Sequence, residues 1–158
     1  MHEYLTDFCE NKKTIRAISK EHNVSELDVI KVLETGKYVR LLGKEFVKKL
    51  IEELPSLGEL LILIEHGGSI FEITSIFLPV CESHGYYNLG RAALSGHLNT
   101  DKITNIGVIS ENLFGRRSCS WVFLGENGEP VFKVYLKRDE NKEILKDQLS
   151  VFEKWFNF

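Results

Sequence analysis

The apolar positions of this chain change their period along its length. Ile15, Ile18, Val24, Leu27, Ile30 and Leu33 recur at roughly helical spacing. Ser25 stands where an N-cap is needed, with Asp28 three residues on, and Gly36 would close the helix. A further helix is expected from about 44 to 54, with Phe46, Val47, Leu50, Ile51 and Leu54 on one face and Pro55 after it. From Gly58 the texture becomes that of strands. Leu60-Leu61-Ile62-Leu63-Ile64 is a branched apolar run, broken at Gly67-Gly68 and resumed by Ile70-Phe71-Glu72-Ile73, the pattern of a hairpin with a glycine turn. An irregular stretch is expected around Pro79. Strands are expected again over 103–110, 118–124 and 130–136, and the Asn127-Gly128 step between the last two is a strong turn signal. A helix from about 141 to 156, carrying Ile144, Leu145, Gln148, Leu149, Phe152 and Trp155, closes the chain. Helices, then a mostly antiparallel sheet, then one packing helix make the class α+β. The expected organisation is one domain over 1–158, with N-terminal helices over 1–55, the sheet over 58–139 and a C-terminal helix over 141–158.

Bulk properties narrow the function. A chain of 158 residues buries about two-thirds of its unfolded surface and needs no staples to fold. Its 43% hydrophobic and 27% charged residues are the mix of a globular protein, not of a disordered one. A net charge of -3 argues against bulk nucleic acid or an anionic membrane as partner. The longest apolar stretch, Leu60 to Ile64, is far too short to span a bilayer, and Met1-His2-Glu3-Tyr4 does not open a signal peptide, so a cytoplasmic protein is expected. Cys9, Cys81 and Cys119 are scattered without CxxC spacing, which suggests reduced thiols and neither a zinc site nor a redox motif.

Residues 14–33 have the look of a helix-turn-helix, which would read DNA with its second helix. That helix begins Ser25-Glu26-Leu27-Asp28, placing two carboxylates where phosphates would sit, and Lys31 is its only basic residue before Gly36. Packed helices are therefore the better reading.

The segment with the most chemistry is His84-Gly85-Tyr86-Tyr87-Asn88-Leu89-Gly90-Arg91-Ala92-Ala93-Leu94-Ser95-Gly96-His97. It reads as too irregular for core, and His66 stands apart from it, at the tip of the first hairpin beside Gly67-Gly68. Neutral imidazole and tyrosinate both ligate haem iron, and small residues beside a ligand let a flat macrocycle approach the backbone. Neither paired carboxylates at a defined spacing, a Gly-x-Ser-x-Gly elbow nor a phosphate loop is present, so no enzyme is expected.

The run from His84 to His97, the Ile103-Thr104-Asn105-Ile106-Gly107-Val108-Ile109 strand and the closing Gly128-Glu129-Pro130-Val131-Phe132-Lys133-Val134-Tyr135-Leu136-Lys137-Arg138-Asp139 resemble the intracellular haem-utilisation carrier family (HutX/ChuX). The likeness covers nearly the whole chain. The resemblance implies a cytosolic haem carrier, related to one half of larger haem-trafficking and haem-degrading proteins. It further implies a homodimer built on a large antiparallel platform, which passes haem to a haem-processing partner. It points to His66, His97 and Tyr86 as the residues associated with haem iron. Gly67-Gly68 after His66 and Cys81-Glu82-Ser83 before His84 depart from the family pattern, which makes His66 the less secure histidine.

Each candidate also has a plainer reading. His97 could be a turn histidine, His66 a solvent-facing hairpin tip, and Tyr86 a ring packed in the sheet. His84 is read as capping a turn. Arg91, Arg116 and Arg117 could hold haem propionates in bidentate fashion, though each taken singly is an ordinary solvated arginine. Phe71, Phe114 and Trp121 could line an apolar cleft but at strand spacing read as core, and Cys81 reads as structural. The alternatives to carriage are degradation of the bound haem and, less favoured, DNA binding through the N-terminal helices.

Overall fold

Five α-helices and nine strands form among the residues described by the computed structural model, which are 2–10, 13–34 and 37–158. Helix α1 spans His2–Cys9, α2 Ile15–His22 and α3 Glu26–Leu33. The Thr14 hydroxyl accepts from the Ala17 N–H to cap α2, and Ser25 accepts from the Asp28 N–H at 3.1 Å to cap α3, as its position suggested. Asn23, at φ 52°, ends α2 in the left-handed conformation. Helix α3 gives way to extended backbone at Glu34, and Gly36, the expected terminator, lies outside the described residues.

Strand β1 (Val39–Gly43) was not signalled by the periodicity, because a five-residue strand offers too few alternations. A 3₁₀ turn at Lys44–Phe46, α4 (Val47–Glu53) and a second 3₁₀ turn at Leu54–Leu57 make up the expected second helix. The hairpin of β2 (Glu59–His66) and β3 (Ser69–Ile76) follows, turning on Gly67 and Gly68 with φ of 59° and 78°. Two successive positive φ values are what a two-residue hairpin turn requires. Next come β4 (Pro79–Ser83), β5 (Tyr86–Leu89), β6 (Gly96–Leu98), β7 (Ile103–Leu113), β8 (Arg116–Gly125), β9 (Pro130–Tyr135) and α5 (Lys146–Lys154). Helix α5 starts later than its apolar pattern suggested. Arg138 and Ile144 form an isolated bridge, and the Leu145 N–H donates to the Lys137 carbonyl, holding the intervening residues as a folded-back loop.

Two antiparallel sheets result. The larger has the order β1-β7-β8-β9-β2-β3, and the smaller has the order β4-β5-β6. The smaller sheet corrects the expectation of an irregular stretch from Pro79 through the His-Tyr segment. Tyr86, Tyr87, Asn88 and Leu89 alternate outward and inward, and Tyr87 and Leu98 belong to the main core.

The two faces of the large sheet are covered differently. One face carries Leu60, Ile62, Ile106, Val108, Cys119, Trp121, Phe123, Phe132 and Val134, packed under α4, α5 and the small sheet. Trp121 is fully buried, edge-on to Phe152 at 5.1 Å between ring centres, and Phe123 stacks on Phe132 at 4.3 Å. Burying each such side chain stabilises the fold by about 1.5–3 kcal/mol. Trp121 is thereby a core residue, as its strand spacing suggested.

On the other face, Val39, Ile109, Val122 and Leu124 meet Ile15, Ile18, Val29, Ile30 and Leu33 of α2 and α3. A Cβ at Gly107 would lie 3.1 Å from the Ile30 side chain, so the glycine lets α3 approach β7 closely.

Polar pins hold both layers. Gln148 is almost fully buried; its amide donates to the Leu57 and Glu59 carbonyls and its oxygen accepts from the Lys137 N–H at 2.7 Å. Lys133 meets Glu26 at 2.7 Å, both side chains almost wholly enclosed, and Arg16 grips Glu65 through two hydrogen bonds of 2.6 and 2.9 Å. The Leu27 N–H donates to the Gly128 carbonyl. The start of α3 is thus tied to the β8–β9 turn, with Glu26 buried and Asp28 exposed, which is a packed-helix arrangement.

Candidate functional site

The outer face of the small sheet gathers the polar residues of the His-Tyr segment. Register places Cys81 opposite Asn88 and Asn88 opposite His97, while Ser83 pairs with Tyr86. Side chains two apart on a strand share a face, so Cys81, Ser83, Tyr86, Asn88 and His97 project together away from the core. The alternate positions, Tyr87, Leu89 and Leu98, face inward against it. The β4–β5 turn is made by His84 and Gly85, with φ of 52° and 80°. This bears out His84 as a turn residue, its Nδ1 lying 3.4 Å from the Ser83 hydroxyl.

Several contacts fix this sheet on the scaffold. Phe77 and Tyr87 insert into the main core, and the Tyr87 hydroxyl donates to Glu52 of α4 at 3.5 Å. Burial holds the Tyr87 phenol above its usual range, so it stays protonated and able to donate. Lys48 pairs with Glu82 at 3.0 Å, and the buried Ser75 hydroxyl accepts from the Leu94 N–H.

On that support, His97 Nδ1 lies 2.6 Å from Asn88 Oδ1, and the Tyr86 ring stands edge-on to the imidazole at 6.3 Å. Ser83, His84, Tyr86, Asn88 and His97 line an open cleft of about 440 Å³. An apolar slot of about 190 Å³, walled by Ile62, Ile64, Phe77, Leu89, Leu94 and Phe132, reaches His97 from the side of the large sheet. His97 therefore stands where a wet cleft meets an apolar one.

The other candidates fall elsewhere. His66 ends β2 and lines a separate, polar cavity with Lys20, Glu65, Glu129 and Lys133, so it is not brought into the cleft of His97. Arg91 sits in the loop between β5 and β6, exposed and at φ 60°. Arg117 is engaged by the Ser110 hydroxyl and by Glu153. Phe71 and Phe114 are exposed rather than core, and Phe114 tips the β7–β8 hairpin in the left-handed conformation. Cys81 is exposed beside Asn88, whereas burial pushes the Cys119 thiol up and keeps it unreactive.

Arg116 lines a larger groove of about 620 Å³ on the face of the large sheet that α1–α3 leave bare. Leu61, Leu63, Leu113 and Phe114 make its apolar lining, with Tyr135, and Arg116, Arg138 and Lys142 supply positive charge. This groove lies across the sheet from His97. Arg116 therefore cannot reach a ligand held by His97 of the same chain. Sequence reasoning missed the groove, because residues of four segments compose it and each reads locally as an ordinary strand. It also passed over Asn88, although that residue lies inside the His-Tyr segment and opposite His97.

Among the described residues no helix is long and apolar enough to cross a membrane. A model of the haem utilisation ChuX/HutX family matches residues 39–155, which takes in every strand and all of α5. The intracellular heme transport protein HutX of Vibrio cholerae is 33% identical over 139 residues, covering 87% of this chain and 72% of that relative. Among solved structures, ChuX superposes with a TM-score of 0.87 at 23% identity over 98% of this chain and 94% of that one. A protein of Agrobacterium tumefaciens has a TM-score of 0.80 at 30% identity, over 89% and 81% of the two chains. With its sheet and closing helix matched end to end, the chain belongs to the haem utilisation ChuX/HutX family.

Proposed function

We propose that this chain is an intracellular haem carrier that holds haem at the outer face of its small sheet and releases it to a haem-processing protein. The observation that carries the reading is His97, exposed and held by Asn88 at 2.6 Å beside Tyr86, at the mouth of an apolar slot. Imidazole and phenolate both serve as axial ligands, and apolar walls suit a porphyrin face. The kinship to a protein named for intracellular haem transport supports the same cargo here. An open cleft with the iron ligands on one side suits release better than a closed pocket would. Haem supplies the iron and the macrocycle; the chain supplies an axial nitrogen or oxygen and a place to lie.

The bare groove favours a second seat for the same cargo. At about 620 Å³ it falls within the range of ligand pockets, and Arg116 and Lys142 in its lining could pair with propionates, whereas Arg138 is bonded to the Lys142 and Arg117 carbonyls and Glu72 opposes an anion. A homodimer is also proposed. Strand β3 is the last strand of the large sheet, and it exposes Ile70 and Phe71, which a second copy could cover.

Titrating the protein with hemin should give a saturable Soret shift at micromolar protein, and absence of saturation would end the carrier reading. His97→Ala should move the Soret position and weaken binding, with Tyr86→Phe and His66→Ala as comparisons. If Arg116→Glu abolishes binding while His97→Ala changes nothing, the groove is the seat and the small sheet is not. Adding a reductant and oxygen, with catalase present, should shift the Soret band on reduction but leave it standing; its progressive loss would replace carriage with degradation.

A further inference from the structure

The hydrogen-bonding partners of Asn88 leave it one orientation. Its Nδ2 group lies 3.4 Å from the Cys81 carbonyl, 3.1 Å from the Ser83 hydroxyl and 3.4 Å from the Cys81 sulfur. A carbonyl oxygen can only accept, so the amide nitrogen must face it. The Ser83 hydroxyl and the Cys81 thiol can donate or accept and so serve either orientation, but turning the amide over would press Oδ1 against the Cys81 carbonyl, which has no proton to give. Oδ1 therefore faces His97, and at 2.6 Å an acceptor there calls for a proton on Nδ1. In the neutral ring that leaves the lone pair on Nε2, the nitrogen directed away from Asn88.

We infer that Asn88 is the positioning residue of the site: it holds His97 in the Nδ1–H form with Nε2 open as the ligand atom. The device spans three strands. Cys81 of β4 anchors the amide, Asn88 of β5 carries it, and His97 of β6 receives it, each directly opposite the next in register. Ser83, two residues from Cys81 and on the same face, adds the second anchor. The edge-on Tyr86 ring restrains the imidazole from another side, so rotation about the hydrogen bond is limited as well. Partners of this kind, which orient a ligand without touching the metal, typically alter affinity by about 10–100-fold.

The tautomer can be read without haem, and only the relevance to cargo rests on the proposed function. In the apo protein at about pH 8, above the ordinary imidazole range, long-range proton–nitrogen NMR of His97 should show Nδ1 protonated and Nε2 bare. Asn88→Leu, which removes the acceptor on an outward-facing position, should return the ring to the Nε2–H form that histidine favours in water. Asn88→Asp keeps an acceptor toward His97 but sets a second oxygen against the Cys81 carbonyl, so it should keep the proton on Nδ1 while loosening the anchor to β4. A native ring already in the Nε2–H form, or one that Asn88→Leu leaves unchanged, overturns the inference. With hemin, Asn88→Leu should weaken binding about 10-fold or more and shift the Soret band, with Asn88→Asp recovering part of the loss because it keeps the acceptor but not the anchor. If Asn88→Leu switches the tautomer and binds hemin like the parent, Asn88 has no positioning role. If His97→Ala also binds like the parent, it is the ligand assignment that has failed, while the Asn88–His97 lock still stands in the apo spectrum.

Discussion

The large and small sheets follow the same alternation rule and reach opposite ends. Where helices cover the large sheet, polar side chains are enclosed and paired. Lys133 finds Glu26 beneath α3, and Gln148 of α5 satisfies three backbone groups where β2 begins and β9 has ended. In the small sheet the inward positions, Tyr87 and Leu98, are core, but the outward ones keep unspent bonding capacity toward solvent. A paired polar group in a covered layer specifies structure, whereas one on an uncovered face, oriented by a neighbour, is free for a ligand. The difference lies in what packs over the second face, not in the residues themselves.

Substitutions can break that contrast. The largest effect is expected from Glu26→Ala, which leaves Lys133 charged and unpartnered under the helices; urea denaturation should show a loss of about 3–5 kcal/mol. Tyr87→Ala removes a ring that joins the two sheets and should destabilise by about 3 kcal/mol, near the low end for large aromatic truncations. Hydrogen exchange should quicken in β4–β6 before it does in β7 and β8. Gln148→Leu removes the partner of two carbonyls and an N–H that are only partly buried, and should cost about 1–3 kcal/mol in all.

A smaller effect, with a pH signature, is expected at Glu111. Its carboxylate lies under α2, accepting from the Ile15 N–H at 3.2 Å, and burial holds the group above the usual carboxylate range. The folded chain therefore binds that proton more tightly than the unfolded chain. Stability falls as pH rises from the ordinary value of 4.5 through the raised one, and stays low above it. Glu111→Gln keeps an acceptor and avoids the buried charge, so it should be more stable than the parent at about pH 8 and lose that lead toward about pH 4. The smallest change belongs to the small sheet: His97→Ala, at an exposed position, should leave stability within about 0.5 kcal/mol while altering the hemin spectrum. A large stability loss there would erase the distinction between scaffold and site.

Much was legible before folding. Ser25 and Thr14 mark helix starts by chemistry that acts over three residues, Gly67-Gly68 and Asn127-Gly128 mark turns, and the apolar rows of 60–64 and 130–136 announce strands. These signals are local, so the chain carries them in order. The His-Tyr segment was legible as chemistry but was misread as irregular, because strands of three to five residues show too little alternation to declare themselves. That His97 and Tyr86 share a cleft and that Asn88 turns its oxygen toward the imidazole depend on strand register between segments up to 16 residues apart, from Cys81 to His97, while His66 and Arg116 are placed elsewhere by pairings in the large sheet. The bare groove depends on more distant partners still. Period and turn chemistry chose the elements, and the pairing of distant strands decided which side chains could act together.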